Sequence, residues 1–221
     1  MKKLQIIILT ILFTGLTMPV NSAELKAGLT VGGIAAKATG REISRTVEVR
    51  DSEDVEAVLG SIFAEVDLGM VSVGVDWIPY DIDGETVSNN RTCGGSWDCQ
   101  TNQAKITLED NYGIYVIVDL GDTGAYVKAM GTSHQVITEE DITNLTTAGT
   151  GGTASTYPDT DILGGHLSIG FEKDMDMFFV RGEVGISEWE KAVSKSSSGN
   201  TTVDAQLENG SHVKLSIGKA F

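Results

Sequence analysis

Eight stretches of this chain alternate apolar and polar residues, and this period-two pattern limits the possible folds more than any other feature. Alternation over about 8 to 12 residues marks strands with two unlike faces. The first runs from about Leu25 to Ala36, with Leu25, Ala27, Leu29 and Val31 on one face. The others are Val58 to Leu68, Met70 to Tyr80, Tyr112 to Leu120, Ala125 to Gly131, Ile162 to Phe171, Met177 to Ser187 and about Gly210 to Phe221. Apart from the first residues of the chain, no apolar run reaches the length of a membrane-spanning helix. The expected fold class is therefore all-β.

The connections alternate in length. Short ones follow the second, fourth and sixth strands. Long ones cover about Lys37 to Ala57, Asp81 to Asn111, Thr132 to Asp161 and Glu188 to Asn209. Short turns at one end and long loops at the other characterise antiparallel up-and-down transmembrane β-barrels. One segment challenges the count. Ala104 to Glu109 reads as a further strand if Glu109-Asp110-Asn111 is a hairpin turn. Nine strands would put the later long loops at the wrong end, so parity favours an extension of the fourth strand above the membrane, or a part of the loop.

Met1 to Ala23 reads as an export signal: Lys2 and Lys3, an apolar stretch from Leu4 to Met18, Pro19, then small residues at Ser22 and Ala23. Residues 24–221 then form one domain. Removing Lys2 and Lys3 shifts the formal charge from −15 to −17, which argues against a nucleic-acid partner. Cys93 and Cys99 are close in sequence with glycines between them, and in an exported chain they are expected to form a local disulfide at a loop tip.

The chain ends Leu215-Ser216-Ile217-Gly218-Lys219-Ala220-Phe221. With the export signal and the loop alternation, this ending resembles the small eight-stranded outer-membrane barrels: the OmpA transmembrane domain, OmpX and the opacity-protein group. The resemblance covers the whole mature chain. It implies an eight-stranded barrel in the outer membrane of a Gram-negative bacterium, exported by the Sec route, with short periplasmic turns and four long extracellular loops. It also implies that Leu215, Ile217, Gly218 and Phe221 act as a signal read by the barrel assembly machinery. Lys219 departs from that pattern, since an apolar or aromatic residue is usual there; near an interface its ammonium can reach water.

If the apolar set faces lipid, the interior receives Lys26, Glu65, Asp67, Asp76, Asp119, Lys128, His166, Arg181, Glu183 and Lys214. A barrel of eight strands has a lumen that side chains can fill. Buried charges need partners, so an internal salt-bridge network is expected to plug it. A gated polar path for ions or a small solute is the alternative. Trp77, Tyr80 and Tyr112 on the loop side, with Phe171 and Phe178 on the turn side, fit a pair of interfacial girdles. A soluble barrel would reverse the two faces.

The loops are acidic, with Asp51, Glu53 and Asp54 in the first and Glu139, Glu140 and Asp141 in the third. Asp81, Asp83 and Glu85 alternate in the second, too short a set for an EF-hand loop. Thr146 to Thr156 reads as flexible. Lipopolysaccharide, bridged to these carboxylates by divalent cations, is the expected outer-membrane partner. Catalysis has one candidate, His166 with Ser168 on one strand face, similar to the His/Ser/Glu set of outer-membrane lipid A deacylases. Alternation turns both inward, away from lipid, so the chain is read as non-enzymatic. No cofactor motif and no metal site is found, and a monomer is expected, because a closed barrel has no edge to pair. The function expected is structural or surface recognition through the loops, such as envelope integrity or adhesion.

Overall fold

The computed structural model describes residues 23–44, 47–84, 87–90, 100–144, 156–197 and 201–221. The export segment up to residue 22, both cysteines and nearly all of the Thr146 to Thr156 stretch lie outside them. In chain order the strands are β1 (Glu24–Ser44), β2 (Val47–Asp67), β3 (Val71–Trp77), β4 (Ile82–Asp83), β5 (Val87–Asn90), β6 (Gln100–Asp119), β7 (Ala125–Asn144), β8 (Thr160–Met175), β9 (Phe178–Trp189), β10 (Ala192–Lys195) and β11 (Thr201–Ala220). Eight of them form the wall in the order β1-β2-β3-β6-β7-β8-β9-β11, and β11 pairs antiparallel with β1 to close it. The other three are short: β4 and β5 add to the far part of β6, and β10 to the far part of β11. The eight-strand expectation holds.

The two faces alternate as read, and they point in the sense expected of a transmembrane barrel. Leu29, Ile62, Val75, Ile114, Ile169, Val184 and Leu215 are exposed on the outer wall, while Lys26, Glu65, Lys128, Arg181 and Glu183 are buried in the lumen. A soluble barrel has the opposite arrangement, so this is the transmembrane type. Trp77, Tyr80 and Tyr112 are exposed toward the long-loop end, and Phe171 and Phe178 toward the turns. The turns are tight. Gly121 and Gly124, both at φ 80°, supply the left-handed residues between β6 and β7.

The strands run well past the lengths read from alternation. The expected first loop, Lys37 to Ala57, is mostly a continuation of the β1–β2 hairpin to Ser44 and Val47. Ala104 to Glu109 belongs to β6, the first of the two readings that parity left open. What broke the pattern there is a bulge rather than a turn: Asp110 adopts φ 48° and the β6–β7 register shifts by one between Glu109 and Tyr112. The slip exchanges the faces of β6 above it. Ile106 and Leu108 consequently turn inward and pack with Val136, Ile162, Ala192 and Ala205 in a small apolar cluster at the loop end of the lumen.

Candidate functional site

The inward residues sort into layers. Nearest the turns is an ionic cluster built around Arg181. Its Nη1 and Nη2 each donate to Glu65 at 2.7 Å, and its Nε donates to Glu172. Lys26 Nζ lies 2.9 Å from Glu172 and 2.7 Å from Asp67. The Tyr115 hydroxyl donates to Glu65 at 3.0 Å. The guanidinium also lies 4.7 Å from the centroid of the Phe179 ring. Desolvated, a cation over a ring gains more than it would at a surface.

A second cluster sits one step further in. Glu183 accepts from Lys128 at 3.1 Å and from the Tyr126 hydroxyl at 3.0 Å. Lys128 stands 4.2 Å from the centroid of the Tyr115 ring, which ties the two clusters together. Phe63, Tyr115, Ile117, Tyr126, Met130 and Phe179 fill the space between the charges. Such a lumen is a packed core, in which every charge of the two clusters is paired and the pairs are wedged by rings.

The rings fit because glycines face them. Gly74 is the cross-strand partner of Tyr115, and Gly170 that of Tyr126. A Cβ at either glycine would overlap the opposing phenol ring. Gly74→Val is expected to cost about 1–3 kcal/mol by overpacking. Adding Tyr115→Leu should recover part of the loss; urea unfolding in detergent micelles reads both. No recovery would mean that the ring is not the obstacle.

The third layer, toward the loops, holds hydroxyls and imidazoles. His166 Nδ1 lies 2.7 Å from Ser187 Oγ, and Ser187 Oγ lies 2.9 Å from His212 Nδ1. His134 and Thr132 continue the contacts to Asn111. Ser168 bonds His212 rather than His166, at 2.9 Å. Both members of the H-x-S pair are buried and face the lumen. A nucleophile–base pair needs mutual reach and access to substrate, and this one has neither.

The interior set read from sequence is thus divided. Lys26, Glu65, Asp67, Arg181, Lys128 and Glu183 are in the ionic clusters. Asp76 accepts from Ser61 Oγ at 3.0 Å. Asp119 is half-buried near Asp67 and Glu172. Lys214 is inside, its stem against Gly32, and makes no ion pair among the described residues. His166 belongs to the imidazole layer, so the expected salt-bridge network stops short of Asp76, Asp119, Lys214 and His166. Glu172, Tyr115, Tyr126, His134 and His212 also line the lumen and were not among the interior residues read from sequence. Of the terminal set, Leu215, Ile217 and Phe221 are exposed on the outer wall, and Gly218 is buried opposite Phe179. Among the described residues, no group of three or more His, Cys, Asp or Glu is placed to hold a metal ion.

Beyond the membrane band the ion pairs are local braces. Asp204, buried, accepts from Lys191 Nζ at 2.7 Å and from Arg41 Nε at 2.7 Å. The Lys191 ammonium, with Arg41 beside it, holds the Asp204 carboxyl below its ordinary value. A lowered folded-state value stabilises above the unfolded one, about 3.9, and the contribution disappears as pH falls through the folded value. Asp204→Asn is expected to cost about 1 kcal/mol or less at pH 7, because both cations are partly exposed. The difference between variant and parent should narrow as pH is lowered from 7 through the acid range, as denaturant titrations along that series will show. Further along, Lys105 pairs with Asp83 at 2.7 Å.

No protein-family model matches the sequence, and no curated protein does. Solved structures share the broad architecture at low identity. The outer membrane protein OprG from Pseudomonas aeruginosa is 9% identical, with 90% of this chain and 96% of that chain covered and a TM-score of 0.49. The outer membrane protease OmpT from Escherichia coli is 9% identical, with 93% and 99% covered and a TM-score of 0.47. Ail, the attachment invasion locus protein of Yersinia pestis, solved with the heparin analogue sucrose octasulfate, is 8% identical, with 90% and 99% covered and a TM-score of 0.38.

Proposed function

We propose that this chain is an outer-membrane anchor whose closed barrel displays an acidic, strand-built surface outside the cell, and that it binds rather than catalyses. The observation that carries this reading is the division of labour along the barrel axis. At the turn end the wall stops at short hairpins, and the lumen there is filled by paired charges and rings. At the other end ordered strands continue beyond the aromatic residues. There the outer part of β2 carries the exposed Glu48, Asp51, Glu53, Asp54 and Glu56, with Arg50 among them.

Among the described residues, that part of β2 also has a free edge. β2 pairs with β3 only from Ile62 to Asp67, while β4 and β5 pair with β6 instead. The Gly60 amide points away from β1, because it donates to the Tyr80 hydroxyl at 2.6 Å. By the period of two, Val58, Glu56, Asp54 and Ser52 turn their backbone groups the same way. An unpaired edge of this kind accepts an added extended segment, and the flanking carboxylates favour a cationic one.

Two measurements test the reading. Cell fractionation should place the protein in the outer membrane as a species that migrates differently on gels before and after heating; recovery in the soluble periplasm would overturn it. In planar bilayers the folded protein should pass no steady current at neutral pH, and regular conductance steps would favour the narrow-pore alternative instead.

A further inference from the structure

The chain has three histidines, on β7, β8 and β11, and all three meet in the third layer of the lumen. Their hydrogen bonds can be oriented from one end. Asn111 Nδ2 lies 3.0 Å from the Leu108 carbonyl and 3.3 Å from the Tyr80 carbonyl. Carbonyls only accept, so the amide nitrogen is committed to them and Asn111 Oδ1 faces His134 Nδ1 at 2.7 Å. His134 therefore carries its hydrogen on Nδ1. Its bare Nε2 takes the Thr132 hydroxyl hydrogen, at 3.0 Å. The Thr132 oxygen is then the acceptor for His166 Nε2, at 3.1 Å.

The same logic continues across the lumen. With its hydrogen on Nε2, His166 offers a bare Nδ1 to the Ser187 hydroxyl. Ser187 then accepts from His212 Nδ1–H, and the bare Nε2 of His212 accepts from Ser168. Every hydrogen bond in the series points the same way, from Ser168 toward Asn111, and every hydroxyl hydrogen has an acceptor. This holds only while all three imidazoles are neutral. A second proton on any ring replaces an acceptor with a donor. The hydroxyl facing it must then turn its hydrogen away, into a buried space where Ser187 is 1% exposed and Ser168 4%.

The series joins β6, β7, β8, β9 and β11. It lies between the ionic clusters and the apolar cluster of Ile106, Leu108, Val136 and Ile162. The charged groups that face it are Lys128 from β7, Glu183 from β9 and Lys214 from β11, with Asp76 from β3 facing Lys214. None of these is hydrogen-bonded to an imidazole, so the order of the series rests on hydroxyls and one amide. Asn111 cannot pass a proton on to the carbonyls it donates to, so the series is not a conducting wire. We propose that it is a proton-sensitive latch: neutral, it fixes the loop-side half of the lumen, and acidification breaks its direction and releases that half.

The test uses the mature protein folded in lipid nanodiscs with 15N-labelled histidine. At pH 7.5 the side-chain nitrogen shifts should show His134 and His212 protonated at Nδ1 and His166 at Nε2. His166 protonated at Nδ1, or any of the three rings doubly protonated at that pH, would overturn the assignment. This readout needs no variant. Urea unfolding at pH 7.5 and pH 5 supplies the second arm, in a range above the ordinary carboxylate titrations. The unfolded chain's imidazoles take up protons at about pH 6.5 while the ordered series holds its rings neutral, so the parent should lose about tenfold or more in its folding equilibrium for each ring so held. Ser187→Ala removes the link between His166 and His212, so it should lose stability already at pH 7.5 and respond less to pH 5. Equal stability of the parent at both pH values, or an undiminished response in Ser187→Ala, would sink the latch.

Discussion

Arg181→Met should destabilise the barrel by about 3–5 kcal/mol, the usual consequence of removing one partner of a buried ion pair. The methionine is close in volume and packs acceptably against Phe179 and Phe63, so lost contact area is a minor part of the effect. The main part is the carboxylate left behind. Glu65 has its side chain fully buried and receives both guanidinium hydrogen bonds; without Arg181 its remaining donor is the Tyr115 hydroxyl. Glu172 is less affected, because Lys26 still holds it at 2.9 Å. The asymmetry gives a sharp check. Arg181→Met combined with Glu65→Gln removes the stranded charge and should recover most of the loss. Arg181→Met combined with Glu172→Gln should recover little. Urea unfolding of the four proteins in lipid vesicles measures these differences. Equal recovery by the two double variants would show that Glu65 is not the residue that Arg181 chiefly serves.

How much of this was legible in the sequence depends on what enforces each feature. Between Leu25 and Ile34, or Gly210 and Phe221, the wall separates lipid from a polar lumen, and the residues alternate because the two environments differ. That alternation, with loop parity, was enough for the strand count. Beyond the membrane band both faces of β1 and β2 meet water. Backbone pairing, helped by braces such as Arg41 on Asp204, sustains the ladder there, and a stretch such as Arg50 to Glu56 carries no alternation to read. The Asp110 bulge hid the continuity of β6 for a related reason: one extra residue inverts the pattern, so a single strand looks like two.

Inside the barrel, the charges on the inward face were legible one by one, but not their partners. Whether Glu183 meets Lys128 or Lys214 depends on register and on how far each stem reaches. Glu172 was missed as an interior residue because it sits beside a turn, where charge is expected on either face. The rings were missed because Phe63, Tyr115, Tyr126 and Phe179 are apolar or amphipathic residues on the polar face, against the binary pattern. Their signal is pairwise. Each faces an inward glycine on a neighbouring strand, as Gly28 faces Phe63 and Gly218 faces Phe179, and that relation exists only once the register is known. The histidines show the same limit, since three scattered imidazoles become a series only when β7, β8 and β11 are placed around one lumen.

The direction in which the two faces point has its own large consequence. Val184 is half-exposed on the outer wall, between Val213 and Ile169 in the cross-strand register, with the inward Glu183 immediately before it. Val184→Arg places a charge near the middle of the apolar band and should reduce the free energy of folding into vesicles by about 2–4 kcal/mol. The length of the side chain does not rescue it, because the headgroups are a half-thickness away in either direction. A second variant separates lipid exposure from disturbance of β9 itself. Glu188→Arg introduces the same side chain near the loop end of the strand, where the cost in a bilayer approaches zero. If Val184→Arg and Glu188→Arg cost the same in vesicles, the middle of the outer wall is not facing hydrocarbon. A large penalty in vesicles for Val184→Arg alone would place the middle of β9 within the hydrocarbon band and its loop end outside it.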